Sequence, residues 1–351
     1  MQADNVPTAA ELTKALRLEP RSPELAGLSS CTVAGPLRCQ ENSWLFKAAL
    51  GARGPSLALK VCLDPVQHRP CPVTAAQELE TLSRMCGYFA GNSRLGVPRP
   101  YPLLVDRGIL VTEWIEGVQL SEMLTSPVNS SHRMKRPELV ALAGSWLRFF
   151  HDFAPAEPGR LVTDAILISL HEALATASPA VRQDPLVQEA VNLLEVTANL
   201  IGRRSYPRAL LHGDFKSDNL IVCGERLLGF DIALQHENVV LRDLAPFLNH
   251  LELIASPLRG LRLALEVRSL SAAFLRGYFE REKMLPVEAV AWLRLNSVLV
   301  VWMERNLRPR PRLKGWYSDW CFRRLTRFLC QELRNASTST PRQHHLPRES
   351  C

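Results

Sequence analysis

Residues 209–234 read ALLHGDFKSDNLIVCGERLLGFDIAL, an island of extended sequence in a chain whose periodicity is otherwise helical beyond Gly117. No other stretch restricts the fold as strongly. LLH enters as a strand, Gly213 permits a sharp turn, and LIVCGERLLGFD reads as a hairpin turning at Gly224 and Glu225. The second strand of that hairpin brings Asp231 back beside Asn219, so a polar loop is closed between strands and surrounded by helices.

The island also carries the chemistry. His212, Asp214 and Asn219 stand as H-x-D-x-x-x-x-N, with Asp231 following on the hairpin. Two carboxylates and an amide in this order suit phosphoryl transfer. Asp214 would accept or orient the proton of an attacking hydroxyl, while Asn219 and Asp231 would hold Mg²⁺ against nucleotide phosphates.

Upstream, a short helix is expected over residues 9–18, broken by Pro20, Pro23 and Gly27, then extended stretches near 32–34, 43–50 and 56–62. An amphipathic helix is expected over 73–89, with Ala76, Leu79, Leu82 and Met85 at three-residue spacings, and then a hairpin of LLVD and GILVTEWI around Arg107 and Gly108. Downstream, helices are expected over 136–153, 166–175, 181–201, 241–254, 261–280, 286–306 and 319–335.

Composition excludes several classes. With 46% hydrophobic and 22% charged residues over 351 positions, the chain is too apolar for disorder. The apolar run Val298 to Met303 falls far short of the roughly 20 residues that span a bilayer, so no integral membrane association is expected. The first twenty residues contain no apolar core of a secretory signal, which leads us to expect a cytoplasmic protein. Nine cysteines without a C-x-x-C pair argue against a zinc site and for reduced thiols. The net charge of +7 could favour anionic partners such as nucleotides, phosphates or acidic membrane surfaces, but a solvated basic face is the commoner explanation for such a surplus.

HGDFKSDN followed by GFD resembles the signature of the aminoglycoside phosphotransferase and choline kinase-like superfamily. The resemblance implies an α+β, bilobal protein-kinase-like fold with a small β-rich N-lobe and a larger helical C-lobe. It implies Asp214 as catalytic base, Asn219 and Asp231 as Mg²⁺ ligands, and His212 as a brace for the loop. Lys60 in SLALKVC matches the strand lysine that fixes the α- and β-phosphates, and Glu78 matches its helix partner, Glu80 lying about 200° round the helix. GILVTEWIEG resembles the interlobe hinge, which would place Glu113, Trp114 and Ile115 at the purine, or else forms an edge strand with a packed Trp. His151 in LRFFHDF and Asp243 in VVLRDLAPFL match structural positions, Asp243 capping the helix that follows it.

Four divisions follow: an entry segment at 1–29, a nucleotide-binding N-lobe at 30–116, a helical C-lobe with catalytic loop and acceptor site at 117–335, and a disordered tail at 336–351. Three departures from the family stand out. The segment AGPLRCQENSW lacks the G-x-G-x-x-G of protein kinases, leaving Glu41, Asn42 and Ser43 as phosphate-covering candidates. Lys216 stands two residues after the base, where many antibiotic kinases have histidine, and could balance charge on the transferring phosphoryl group or be a surface lysine. GFDIAL replaces D-F-G, so an activation-loop switch is not indicated.

The activity implied is a small-molecule kinase that moves the γ-phosphate of ATP or GTP, with Mg²⁺, to the hydroxyl of an amino alcohol, aminoglycoside or sugar. The alternatives are a catalytically silent kinase-like binding module, or a kinase acting on a lipopolysaccharide core sugar or a protein. His236 and Glu237 could approach substrate or be ordinary loop charges. Near the C-terminus, Trp316, Tyr317 and Trp320 interleave with arginines, but without a nucleic-acid motif a packed helix with a solvated basic face is the better reading, so no nucleic-acid partner is expected.

Overall fold

The computed structural model describes residues 6–19, 25, 27–40, 42–51, 54–126, 134–232, 237–255, 261–279, 286–307 and 312–339. In chain order its elements begin with α1 (Ala9–Leu18), β1 (Cys31–Cys39), β2 (Ser43–Leu50), β3 (Ser56–Cys62), α2 (Pro72–Phe89), β4 (Leu95–Gly96) and β5 (Pro100–Tyr101). There follow β6 (Ile109–Glu113), β7 (Val118–Gln119), α3 (Leu120–Thr125), α4 (Arg136–Phe153), β8 (Pro155–Arg160), α5 (Thr163–Thr176), α6 (Pro179–Arg182) and α7 (Pro185–Gly202). The last are β9 (Ser205–Leu210), β10 (Leu220–Cys223), β11 (Arg226–Gly229), β12 (Glu237–Val239), α8 (Leu241–Ile254), α9 (Leu261–Phe279), α10 (Val287–Asn306) and α11 (Arg312–Ser339). This is the α+β, protein-kinase-like architecture, with a β-rich N-terminal unit and a larger helical one.

The chain forms two compact units, Met1–Gln119 with Leu220–Phe230, and Leu120–Asn219 with Asp231–Cys351. The first therefore claims the hairpin that the sequence division at residue 116 assigned to the helical lobe. Strand pairing between distant parts of the chain is the reason: β10 pairs antiparallel with β7, and β11 pairs parallel with β4.

In the first unit, β1-β2-β3-β6-β5 form a sheet that is antiparallel throughout. Strand alternation sends Phe46, Ala48, Leu57, Leu59 and Val61 to one face, where Leu12, Ala15 and Leu16 of α1 pack on them. Residues 9–18 are thus core rather than an entry segment. A capping box opens α1: the Thr8 hydroxyl accepts from the Glu11 amide, and Glu11 accepts from the Thr8 amide at 2.7 Å. The opposite face carries Cys62 and Leu110 against Ala75, Leu79 and Leu82 of α2. LLVD is not a strand. Leu104 takes a left-handed conformation and residues 105–107 form a 3₁₀ turn, so β6 pairs instead with the two-residue β5.

In the second unit α4 and α9 approach so closely that a Cβ at Gly277 would lie 2.0 Å from the Ala141 carbonyl oxygen. Only glycine fits there. Arg294 of α10, buried, donates through Nε to Asn249 of α8 at 3.1 Å and pairs with Glu332 of α11 at 3.4 Å, tying three helices together. The strands β12-β9-β8 form a small antiparallel sheet. β8, PAEPGR, was not expected, because its two prolines read as loop. α11 begins earlier and ends later than 319–335, so residues 336–339 are helical rather than disordered; the rest of the expected tail lies outside the described residues. No helix among the described residues is long and apolar enough to cross a membrane.

Candidate active site

The loop after β9 is held from beneath by a buried carboxylate. Gly213, at φ 84, turns the chain so that the amides of His212 and Gly213 both donate to Asp243, at 2.6 and 3.0 Å. Asp243 Oδ2 also meets His151 Nε2 at 3.0 Å, and His151 Nδ1 meets the Tyr278 hydroxyl at 2.7 Å. A carboxylate on Nε2 calls for the Nε2–H tautomer, so Nδ1 accepts from Tyr278. Burial drives the Asp243 carboxyl up, but hydrogen bonds and charge from His151, with the Gly213 amide, hold it below the ordinary carboxylate range.

Asp243 therefore clamps the loop after β9. It does not cap its own helix, as the sequence had suggested, and Val240 at the N-cap offers no side-chain bond. His151 is structural, as expected, but its role is to orient this clamp.

His212 is fully buried, edge-on to Trp146, Phe150 and Phe215. Neither ring nitrogen finds a hydrogen-bond partner among the described residues. Burial pushes its pKa below the usual value, outweighing the upward pull of Asp243, Asp214 and Asp231. The ring is a neutral wedge under the loop, which fits bracing rather than proton transfer.

Asp214 is 46% exposed, and its Oδ2 accepts from Lys216 Nζ at 2.5 Å and from Asn219 Nδ2 at 3.2 Å. Asn219 Nδ2 also donates to the Asp214 carbonyl at 2.8 Å. With its nitrogen so committed, the Asn219 amide oxygen is buried and accepts no hydrogen bond among the described residues. Asp231 stands at φ 58, a left-handed conformation that aspartate tolerates better than most residues and that marks a position under constraint.

These residues fit a magnesium ion. Mg²⁺ takes few protein oxygens and completes its shell with water and phosphate, so the orphaned Asn219 oxygen and the Asp231 carboxylate are a sufficient donor set. No group of three or more His, Cys, Asp or Glu able to hold a metal occurs among the described residues, which sets aside a caged site but not this one.

His250 was missed by the sequence reading. Its Nδ1 lies 2.9 Å from the Ser217 hydroxyl and its Nε2 lies 3.5 Å from Asp218, so α8 supports the loop at a second point. Burial lowers its pKa against the pull of Asp218. A lone histidine ten residues into a helix gives no local signal of this.

In the first unit, Lys60 lies between the inward-facing Leu59 and Val61 and so projects towards α2. Its Nζ meets both oxygens of Glu78, at 2.9 and 3.2 Å, as expected of the pair. The hinge candidates are committed differently from one another. The Glu113 amide donates to the Arg99 carbonyl at 2.8 Å and its carboxylate accepts from the Arg99 amide at 3.0 Å, while the Trp114 amide donates to Ser56 at 2.9 Å. Lys47 sits 4.5 Å from the centre of the Trp114 ring and pairs with Glu116 at 2.9 Å.

Asn42 is exposed in the turn between β1 and β2, its carbonyl accepting from the Leu63 amide at 2.9 Å and the Gln40 amide donating to Ser43 at 2.8 Å. Glu41 and His236 lie outside the described residues. Glu237 pairs with Leu210 in the small sheet. On α11, Tyr317 stacks with Trp320 and Arg324 lies over Trp320, so the aromatic–basic run forms part of a helix face.

The model of the family described as "Phosphotransferase enzyme family" matches residues 66–235, from just before α2 through the loop and Asp231. Over that stretch, just under half of the chain, the sequence is similar to this phosphotransferase family. Among solved structures of this fold, a glucosamine kinase bound to glucosamine, ADP and inorganic phosphate is similar with TM-score 0.59 at 14% identity, covering 89% of this chain and 86% of its own. Amicoumacin kinase hAmiN, bound to AMP-PNP, Ca²⁺ and Ami, gives 0.57 at 12% identity, covering 92% of both chains. A choline/ethanolamine kinase family protein from Mesorhizobium loti gives 0.54 at 18% identity, covering 94% and 99%. At such identities the likeness speaks for the fold. No curated protein matches the sequence.

Proposed function

We propose that the protein is a Mg²⁺-dependent small-molecule kinase, moving the γ-phosphate of ATP or GTP to a hydroxyl of an amino alcohol, aminoglycoside or sugar. One observation carries the reading. The Asn219 amide is oriented by two bonds to Asp214 so that its buried oxygen lacks any partner among the described residues, a cost tolerated where a cation supplies the partner.

Mg²⁺ held by Asn219 and Asp231 would neutralise charge on the phosphates. The chain's own residues do the rest. Asp214, exposed yet fixed by Lys216 and Asn219, is placed to take the acceptor's proton. Lys216 keeps a positive charge beside that carboxylate, where negative charge would grow during transfer. Lys60, held by Glu78, is the group for the α- and β-phosphates, and the Ile115 region that for the base. Cytoplasmic location follows from the sequence reading alone and remains part of this proposal.

Asp214→Asn is expected to lower turnover roughly 10²- to 10⁴-fold in a screen of amino alcohols, aminoglycosides and hexosamines. It should spare the rise in unfolding midpoint caused by Mg²⁺ and nucleotide. Asp231→Asn should weaken that rise. A wild-type midpoint indifferent to every nucleotide with Mg²⁺ would instead identify a kinase-like binding module.

A further inference from the structure

Two cysteines outside the loop are placed opposite one another where β3 runs out and α2 begins. Leu63 and Pro70 form an antiparallel bridge, flanked by bonds from the Cys71 amide to the Cys62 carbonyl at 2.8 Å and from the Asp64 amide to the Arg69 carbonyl at 2.9 Å. That register makes Cys62 and Cys71 the next opposed pair. The Cys62 amide donates instead to the Gly108 carbonyl at 2.9 Å, so the pair makes one of the two possible cross-strand bonds. Residues opposed across an antiparallel ribbon have Cα atoms about 4.5–5.5 Å apart and side chains on one face, inside the roughly 4.4–6.8 Å that a disulfide spans.

The periodicities of strand and helix agree with this. Cys62 alternates with the core-facing Leu59 and Val61 and packs against Ala75 on the α2 side. Cys71 is the N-cap of α2, one turn before Ala75 and so on the same helix face. We propose that Cys62 and Cys71 form a dithiol that a hydroperoxide converts to an intramolecular disulfide, stapling β3 to α2.

The two thiols differ as the chemistry requires. Cys71 is partly exposed and its sulfur accepts from the Thr74 hydroxyl at 3.2 Å, which, with the Thr74 amide, lowers its pKa below the usual thiol value. Cys62 is buried, and burial pushes its pKa up to about 12. Cys71 therefore reacts first: its thiolate attacks one peroxide oxygen, the O–O bond breaks, and a sulfenic acid and an alcohol or water form. The Cys62 sulfur then attacks the sulfenyl sulfur, the S–S bond forms, and hydroxide leaves as water with the Cys62 proton. Two electrons pass from the two thiols to the peroxide, so the step balances without another reactant.

The staple would join the elements that carry Lys60 and Glu78, two residues before Cys62 and seven after Cys71. Any consequence for nucleotide binding rests on the kinase reading, whereas formation of the bond does not.

The full-length protein should be treated with hydrogen peroxide, blocked with iodoacetamide and mapped without reduction. A Cys62–Cys71 linked peptide is expected in wild type, removed by dithiothreitol and absent in Cys71→Ser. In Cys62→Ala, Cys71 should instead be trapped by dimedone as the sulfenic acid. The linked wild type should unfold at a higher midpoint than the reduced form, since the cross-link restrains the unfolded chain. Cys62 recovered as alkylated free thiol while Cys71 is oxidised further, or Cys71 linked to another cysteine, would overturn the proposal. The mapping reads the thiols alone, so loss of the kinase reading would leave it standing, and its failure would leave that reading untouched.

Discussion

The loop at residues 212–219 and the turn at residues 40–43 were both singled out for phosphate chemistry, and they are fixed by opposite means. The loop rests on a fully buried carboxylate, an imidazole and three aromatic rings that come from α4, α8 and the loop itself. The turn rests on backbone bonds and one bond from the Ser43 hydroxyl to the Gln40 side chain at 3.2 Å, and leaves Asn42 in solvent. A segment held by distant buried groups can present a carboxylate in one geometry, whereas a segment without buried side-chain supports can move to meet a ligand. On the proposed kinase reading, precision would stand where a proton is taken and tolerance where phosphates need only be covered.

The largest expected effect falls on the loop. Asp243→Ala leaves the His212 and Gly213 amides without their acceptor and His151 without its partner, so a loss of about 3–5 kcal/mol is expected. Urea unfolding measures it. If the loss stays below that of an ordinary surface substitution, the loop is not held from beneath and the contrast with the turn fails.

A middle case is Lys60→Ala. The pair with Glu78 is about one-fifth to one-quarter exposed on each side, so the direct effect on stability should be no more than about 1 kcal/mol. The rise in midpoint with Mg²⁺ and ATP should nevertheless fall sharply. An undiminished rise would remove Lys60 from the nucleotide site.

Acid should weaken the loop's foundation specifically. His212 and His250 are both held below the usual histidine pKa by burial, against Asp243, Asp214 and Asp231 for His212, and against Asp218 and Asp214 with Lys216 and Arg305 assisting for His250. The unfolded chain then binds more protons than the folded one as pH falls through about 6.5, so stability is lost towards acid and regained towards neutrality. Asp243 works in a lower window: its depressed pKa makes its contribution full above the ordinary carboxylate value and lost as pH falls from there through its folded-state pKa. Unfolding midpoints between pH 7.5 and 5.5 should decline, and His250→Asn should flatten the decline. A profile unchanged by that substitution would show that His250 does not sense the loop.

How much was legible in the sequence follows the same divide. Asp214, Asn219 and Asp231 could be read because their spacing is local and the Gly224 turn fixes the return of the hairpin. Lys60 and Glu78 followed from the family resemblance, with helix phase preferring Glu78 to Glu80. The clamp could not be read: Asp243 lies 31 residues from His212 and 92 from His151, and nothing in DLAPFL distinguishes a helix cap from a buried anchor. His250 is hidden likewise. The two-residue strands β4, β5 and β7 are too short to show a period, and in β8 two prolines outweigh the pairing that β9 supplies.

The smallest expected effect is at the turn. In Asn42→Ala the carbonyl that accepts from Leu63 is retained and no buried surface is lost, so stability should change by no more than about 0.5 kcal/mol. If the turn covers phosphates through its backbone, the KM for nucleotide should also change little, since the amides survive the substitution. Replacing Asn42 by proline removes one of those amides and should raise KM while leaving turnover at saturation nearly intact. A large loss in Asn42→Ala would mean that this side chain, and not the backbone, grips the phosphates, and that the turn is specified as tightly as the loop.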